Sequence, residues 1–150
     1  MTDNQPSETE PSQTLTQKMA EWYFTPNKIE RWRNGRMYEL LGVRWYKDHM
    51  PIQENDRALR KKGIRPIFVL DSLESGLEEW EKRTRGFEKM HGVSGIILAV
   101  LTNPLIISGH YEIATMNTLL NVIINFYPVL TQRYNRARIY NILEKREGRK

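Results

Sequence analysis

From Val93 to Gly109 the chain reads VSGIILAVLTNPLIISG, and from Ile113 to Gln132 it reads IATMNTLLNVIINFYPVLTQ, seventeen and twenty residues without an ionisable side chain. At about 1.5 Å of rise per helical residue these stretches reach roughly 26 and 30 Å, against a bilayer hydrocarbon core of roughly 30 Å. Between them, Ser108-Gly109-His110-Tyr111-Glu112 has the polar, glycine-bearing composition of a tight helix-helix connection. The two stretches therefore predict a helical hairpin over about residues 92–132.

Asn117, Asn121 and Asn125 recur every four residues. In a helix they form one stripe, which can face the other helix and hydrogen-bond across to it. The same asparagines, with Asn103-Pro104, would also suit the buried pair of a soluble bundle. Consecutive helices with almost no charge on any face are unusual in a soluble chain of this size, so the expectation is a membrane hairpin. Pro104 predicts a kink, and a re-entrant geometry is the variant of this reading.

Charge is segregated along the 150 residues. Residues 1–91 hold 16 basic and 15 acidic groups, residues 92–132 hold only Glu112, and residues 133–150 hold seven basic and two acidic groups. The net charge of +5 thus resides in the last eighteen residues. Lys82, Arg83, Arg85 and Lys89 precede the hairpin, while Arg133, Arg136, Arg138, Lys145, Arg146, Arg149 and Lys150 follow it. Basic flanks stay on the cytoplasmic side, so both termini are expected there and the protein in the cell membrane.

The fold class expected is mostly α, with a disordered tail over residues 1–20 and one membrane-associated domain over residues 21–150. The opening MTDNQPSETEPSQTLTQ has no aromatic residue and too little apolar area to offset ordering. It also lacks the basic-then-apolar pattern of a signal peptide. Residues 28–65 hold eleven basic and five acidic groups interleaved with Trp32, Tyr38, Trp45 and Tyr46. In one helix Tyr38, Leu41 and Trp45 share a face, as in a juxtamembrane amphipathic helix; nucleic-acid binding and a plain solvated helix are the other readings. IRPIFVL (64–70) is the one strand candidate, an edge or a connector because of Pro66. A basic helix is expected over residues 133–150.

Ser75-Gly-Leu-Glu78 has capping-box spacing and starts a helix expected to run from about Gly76 through His91. Leu77, Trp80, Thr84, Phe87 and His91 form its stripe. Glu88-x-x-His91 stands at the membrane boundary, with Arg85 one turn back. At i, i+3 a carboxylate can approach an imidazole, fix its tautomer and raise its basicity, as a general base requires. A packed histidine is the plainer reading. After the second apolar stretch comes Gln132-Arg133-Tyr134-Asn135-Arg136-Ala137-Arg138, whose forked donors suit phosphate or carboxylate, unless the arginines only snorkel to headgroups. The chain has no cysteine, no Gly-rich phosphate loop, no Gly-x-Ser-x-Gly and no His-x-x-x-His, so no disulfide, thiolate site or metal centre is expected.

Gly42-Val-Arg-Trp-Tyr-Lys-Asp-His-Met-Pro51, Thr84-Arg85-Gly-Phe-Glu88-Lys-Met-His91, Asn103-Pro104, and Asn125 followed by Gln132-Arg-Tyr-Asn-Arg-Ala-Arg138 span about 100 residues. In this order they resemble the glycosyl-4,4'-diaponeurosporenoate acyltransferase family of bacterial membrane enzymes. The resemblance implies attachment of a fatty acyl group to the sugar of a glycosylated carotenoid or similar glycolipid. Two departures stand out: a polar tail where the family has an apolar N-terminal segment, and Tyr127 in place of a proline, which follows at Pro128. On this reading His91 is the base and Glu88 its orienting partner. Arg85, Gln132, Arg133, Asn135, Arg136 and Arg138 bind substrate, the last two with Arg133 as an anion clamp. The expected donor is an acyl thioester such as acyl-CoA, with no resident cofactor. Membrane lipids and an amphipathic glycolipid acceptor are the expected partners, with no nucleic acid. A covalent acyl-enzyme is not expected, for want of cysteine or a serine elbow. The rival readings are a non-catalytic membrane adaptor docking through its basic segments and a small nucleic-acid binder.

Overall fold

The computed structural model describes residues 14–49 and 75–148, and among them no strand occurs. The strand candidate at 64–70, the side chain of Ser75 and the first thirteen residues lie outside the described residues. Helix α1 (Leu15–Phe24) begins inside the stretch whose composition pointed to disorder. Thr14 and Gln17 explain the difference: each side chain satisfies the other's backbone N–H, a capping box that composition alone does not reveal.

Three short helices follow: α2 (Lys28–Arg31), α3 (Arg36–Leu40) and α4 (Val43–His49). Asn27 and Glu30 form a second capping box at the start of α2. Between α2 and α3 a turn at Trp32–Asn34 ends in Gly35 at φ 85°. A Cβ at Gly35 would lie 2.9 Å from the Tyr134 ring, so glycine is required there by both conformation and space. The single amphipathic helix expected through Tyr38, Leu41 and Trp45 is broken at Gly42, which takes φ 80°. The three residues consequently part: Tyr38 is buried with its hydroxyl on Glu30, while Leu41 and Trp45 are exposed.

Helix α5 (Ser75–Ile107) runs 33 residues without interruption, joining the helix expected through His91 to the first apolar stretch, with Pro104 inside its last turn. It ends in a Schellman motif. Gly109 at φ 79° donates to the Ile106 carbonyl, and His110 donates to the Leu105 carbonyl. Helix α6 (Tyr111–Glu147) returns antiparallel over 37 residues and contains one π turn, Val122–Phe126. The hairpin is therefore present. Both helices are long and apolar enough to cross a membrane, and only 6% and 11% of their most apolar stretches are buried within the protein. Ile96, Ile97, Val100 and Leu101 on α5, with Ile113, Met116, Leu119 and Ile124 on α6, all face outward. A soluble core pair would bury them.

The side of α5 that meets α6 is polar. Leu77, Glu81, Thr84, Glu88, His91, Gly95, Leu98 and Thr102 alternate in steps of four and three, and each is buried or half-buried. The stripe expected from sequence ran through Trp80 and Phe87 instead. Phe87 is 43% exposed, because the glutamates, not the aromatic rings, must face the arginines of α6. Toward the turn, Asn117 donates to Thr102 Oγ1 at 2.6 Å and Asn121 to the Gly95 carbonyl at 2.9 Å, the cross-helix bonding the asparagine stripe predicted. Asn125 donates to Asn121 Oδ1 and is buried. A spacing of four residues overshoots an α-helical turn by about 40° at each step. The π turn, with its wider winding, returns Asn125 to the seam.

Candidate functional site

The open end of the hairpin, opposite Ser108–His110, is where the charged residues converge. From Glu88 to Ile107 and from Tyr111 to Arg133 the helices rise about 28 and 33 Å, near one bilayer thickness in each case. Glu88 and Arg133 thus meet at the same level. Arg133 Nε donates to Glu88 Oε1 at 2.9 Å, and Arg136 Nη2 donates to Glu88 Oε2.

Arg136 is 1% exposed and every side of its guanidinium is engaged. Nε donates to Thr84 Oγ1 at 3.2 Å and lies 3.8 Å from Glu81 Oε1, while Nη1 donates to the Phe24 carbonyl at 3.0 Å. Phe24, the last residue of α1, closes the cluster with its ring: Arg136 and Arg85 stand 5.1 and 5.6 Å from its centre and Lys89 at 5.2 Å. Arg133 reaches outward to Glu30 Oε1 at 2.9 Å, with its guanidinium 4.7 Å from the Tyr23 ring. Arg85 bridges Glu81 Oε1 at 2.6 Å and Glu21 Oε1 at 2.6 Å.

Three arginines are thereby matched by four glutamates, Glu21, Glu30, Glu81 and Glu88. Burial opposes ionisation of Glu30, but hydrogen bonds from the Tyr38 hydroxyl, the Asn27 N–H and Arg133 prevail and hold its carboxyl below the ordinary glutamate value. Bonding from Arg85 lowers Glu21 likewise. The cluster is a closed electrostatic knot joining α1, α2, α5 and α6.

Beside it, Phe24, Pro26, Glu30, Arg133 and Arg136 line a narrow crevice with no room for a water molecule in this conformation. The sequence-predicted residues fall into separate groups around these features. Arg85, Glu88, Arg133 and Arg136 come together. His91 lies one turn further along the same seam, half-buried, yet the Glu88 carboxylate bonds to the two arginines and not to the imidazole. The orienting Glu88–His91 pair is thus absent here, since two guanidiniums outcompete one ring nitrogen for a buried carboxylate. Arg133 and Arg136, expected in an anion clamp, are already neutralised. Asn135 and Arg138 lie on another face of α6: Asn135 accepts from Lys47 Nζ at 3.1 Å, and Arg138 lies against Tyr134. Gln132 is half-buried between the two faces.

Sequence reasoning missed Glu30, Glu81 and Phe24, and it placed Thr84 on the helix stripe without its contact to Arg136. Glu81 and Thr84 carried a legible signal, their four-three spacing to Glu88. Glu30 carried one in the Asn27-x-x-Glu30 capping box, but its second oxygen on Arg133 bridges 103 positions of sequence.

No curated protein and no solved structure matches the chain. A family model does, over residues 20–145, which covers the last turn and a half of α1, the short helices, the whole hairpin and the glutamate–arginine knot. By that match the chain belongs to the glycosyl-4,4'-diaponeurosporenoate acyltransferase family.

Proposed function

We propose that the protein is a membrane-bound O-acyltransferase that moves a fatty acyl group from an acyl thioester, such as acyl-CoA, to a sugar hydroxyl of a glycosylated carotenoid or similar glycolipid. The family match over residues 20–145 carries this reading. The position of the polar knot supports it, at the end of a hairpin whose outer surface is apolar: an acceptor lying in the membrane would present its sugar at that level. Both termini lie on the cytoplasmic side of the cell membrane, in keeping with the basic flanks of the hairpin.

His91 takes the proton of the acceptor hydroxyl, and the hydroxyl oxygen attacks the thioester carbonyl. A C–O bond forms, the C–S bond breaks, and the proton passes to the departing thiolate. Glu88 acts through Arg133 and Arg136 by holding α5 and α6 in register beside His91. Arg133, the most open of the three arginines in the knot, borders the crevice and is suited to the acceptor's sugar oxygens. The crevice must widen to admit them.

The test is transfer by full-length protein in nanodiscs, with acyl-CoA and a glycosylated carotenoid acid, read by mass spectrometry of the lipid product. Acylated product from wild type and little from His91→Ala is expected. One observation favours a second reading, a non-catalytic membrane subunit: the crevice is closed and its charges are mutually satisfied. Absence of product across a broad donor and acceptor panel would favour that reading.

A further inference from the structure

The Gln132–Arg138 motif is split by the helix into two faces with opposite electrostatic situations. Arg133 and Arg136 turn toward α5 and α2 and find carboxylates there, Glu88 on the first and Glu30 on the second. Asn135 and Arg138 turn toward α4, where Lys47 waits. Lys47 Nζ lies 5.2 Å and the Arg138 guanidinium 5.4 Å from the centre of the same Tyr134 ring. Among the described residues neither cation is within ion-pair distance of a carboxylate. Two like charges share one aromatic ring here.

Their donors are largely unspent. Lys47 gives one proton to Asn135 Oδ1, Arg138 makes a single long contact of 3.4 Å to the Tyr134 hydroxyl, and the Asn135 amide N–H groups find no acceptor among the described residues. Arg138 is exposed and Lys47 half-buried, so the group opens to solvent. Two carboxylates stand at its edge: Glu39, which accepts from the Tyr134 hydroxyl at 2.8 Å, and Asp48, whose charge favours the Lys47 ammonium. They do not cancel the repulsion. Burial first, and then the charge of Arg138, hold the Lys47 ammonium below the ordinary lysine value. An anion seated between the two cations would relieve both costs.

We infer that Lys47, Asn135 and Arg138 form a binding subsite for a phosphate group. The chemistry fits because the point charge of lysine, an amide and the fork of arginine offer donors from three directions to oxygens that only accept. Two sources carry such a group to this level of the membrane: the phosphates of a soluble acyl carrier of the CoA type, and an anionic lipid headgroup. The assignment to the acyl carrier rests on the acyl-transfer reading above, whereas phosphate binding itself does not.

The test measures binding without turnover. Full-length protein in dodecyl maltoside is titrated with coenzyme A by calorimetry, and in parallel is reconstituted in nanodiscs with and without phosphatidylglycerol to measure lipid enrichment around it. One of the two probes should bind. Lys47→Gln and Arg138→Gln should each weaken that binding roughly tenfold or more, the scale of a charge-assisted hydrogen bond. Lys47→Arg should restore most of it, and Lys18→Gln, at an exposed position of α1, should leave it unchanged. Coenzyme A binding assigns the phosphate to the acyl carrier, and phosphatidylglycerol enrichment assigns it to lipid; either upholds the subsite. Binding of neither probe, or binding by Lys47→Gln and Arg138→Gln equal to wild type, overturns it. Intact coenzyme A binding without any acyl transfer would count against the proposed function and not against this subsite.

Discussion

Arg136 of the second long helix and Glu88 of the first share a hydrogen bond across the open end of the hairpin, and the two residues are 1% and 2% exposed. Deep inside protein, the desolvation of each charge is large and only the other charge offsets it. The pair therefore fixes the angle and register of the helices more than it adds stability over an apolar pair. Its loss on one side is a different matter, because the survivor stays buried and unmatched.

Arg136→Ala or Glu88→Ala should accordingly cost about 3–5 kcal/mol, a large share of a typical total of about 5–15 kcal/mol. Both variants are expected to give little monodisperse protein after detergent extraction and a much lower midpoint of thermal unfolding by tryptophan fluorescence. An unchanged midpoint in Arg136→Ala would show that the knot does not hold the helices.

His91→Ala should behave in the opposite way. His91 is half-buried and outside the knot, so folding should survive while acyl transfer falls by about 10² to 10⁴-fold, the usual contribution of a general base. A melting curve and an endpoint assay on the same preparation separate the two effects. Undiminished transfer would remove His91 from the mechanism.

The middle of the hairpin should depend more on shape than on its amide bonds. Asn117→Ala deletes one interhelical hydrogen bond, worth on average about 0.6 kcal/mol in a membrane. Gly95→Leu should be far more damaging, since even a Cβ at Gly95 would come within 3.2 Å of the Asn125 Cβ. Comparing the two unfolding midpoints checks the ranking, and an equal or smaller loss in Gly95→Leu would contradict the packing described.

Stability should decline in acid through Glu30 and Glu21. Their folded-state pKa values are depressed, so the stabilisation is present above the ordinary glutamate value and is lost as pH falls through the lower folded value. At the alkaline end, Tyr38, raised by burial and by its bond to Glu30, contributes below the ordinary tyrosine value, and that contribution is lost as pH rises through the raised one. Unfolding midpoints against pH should thus fall on both sides of neutrality. Glu30→Gln should flatten the acid limb.

Topology is checked with single cysteines introduced at Lys18, Ser108 and Gly148 of this cysteine-free chain. Labelling of intact cells and of inverted vesicles should place Ser108 opposite the other two. Labelling of Ser108 and Gly148 from the same side would mean that the hairpin does not span.

Sequence by itself determined the hairpin, because absence of charge over Val93–Gly109 and Ile113–Gln132, a turn with Gly109, and the four-residue asparagine spacing are local signals that the backbone obeys directly. It also placed Glu88 near Arg133, since two helices of similar length must bring their far ends level. It did not determine partners. Glu88 chose Arg133 and Arg136 over the neighbouring His91, and Lys47 joined Asn135 across 88 positions, because buried charge pairs with whatever opposite charge or polar group the packing delivers. The start of α1 at Leu15 and the break at Gly42 were missed because composition averages over the caps and glycines that set helix ends. Which arginines are neutralised and which remain free was decided only by the tertiary structure: three arginines within six residues read alike in sequence, but a helical turn of about 100° per residue sends them to different neighbours.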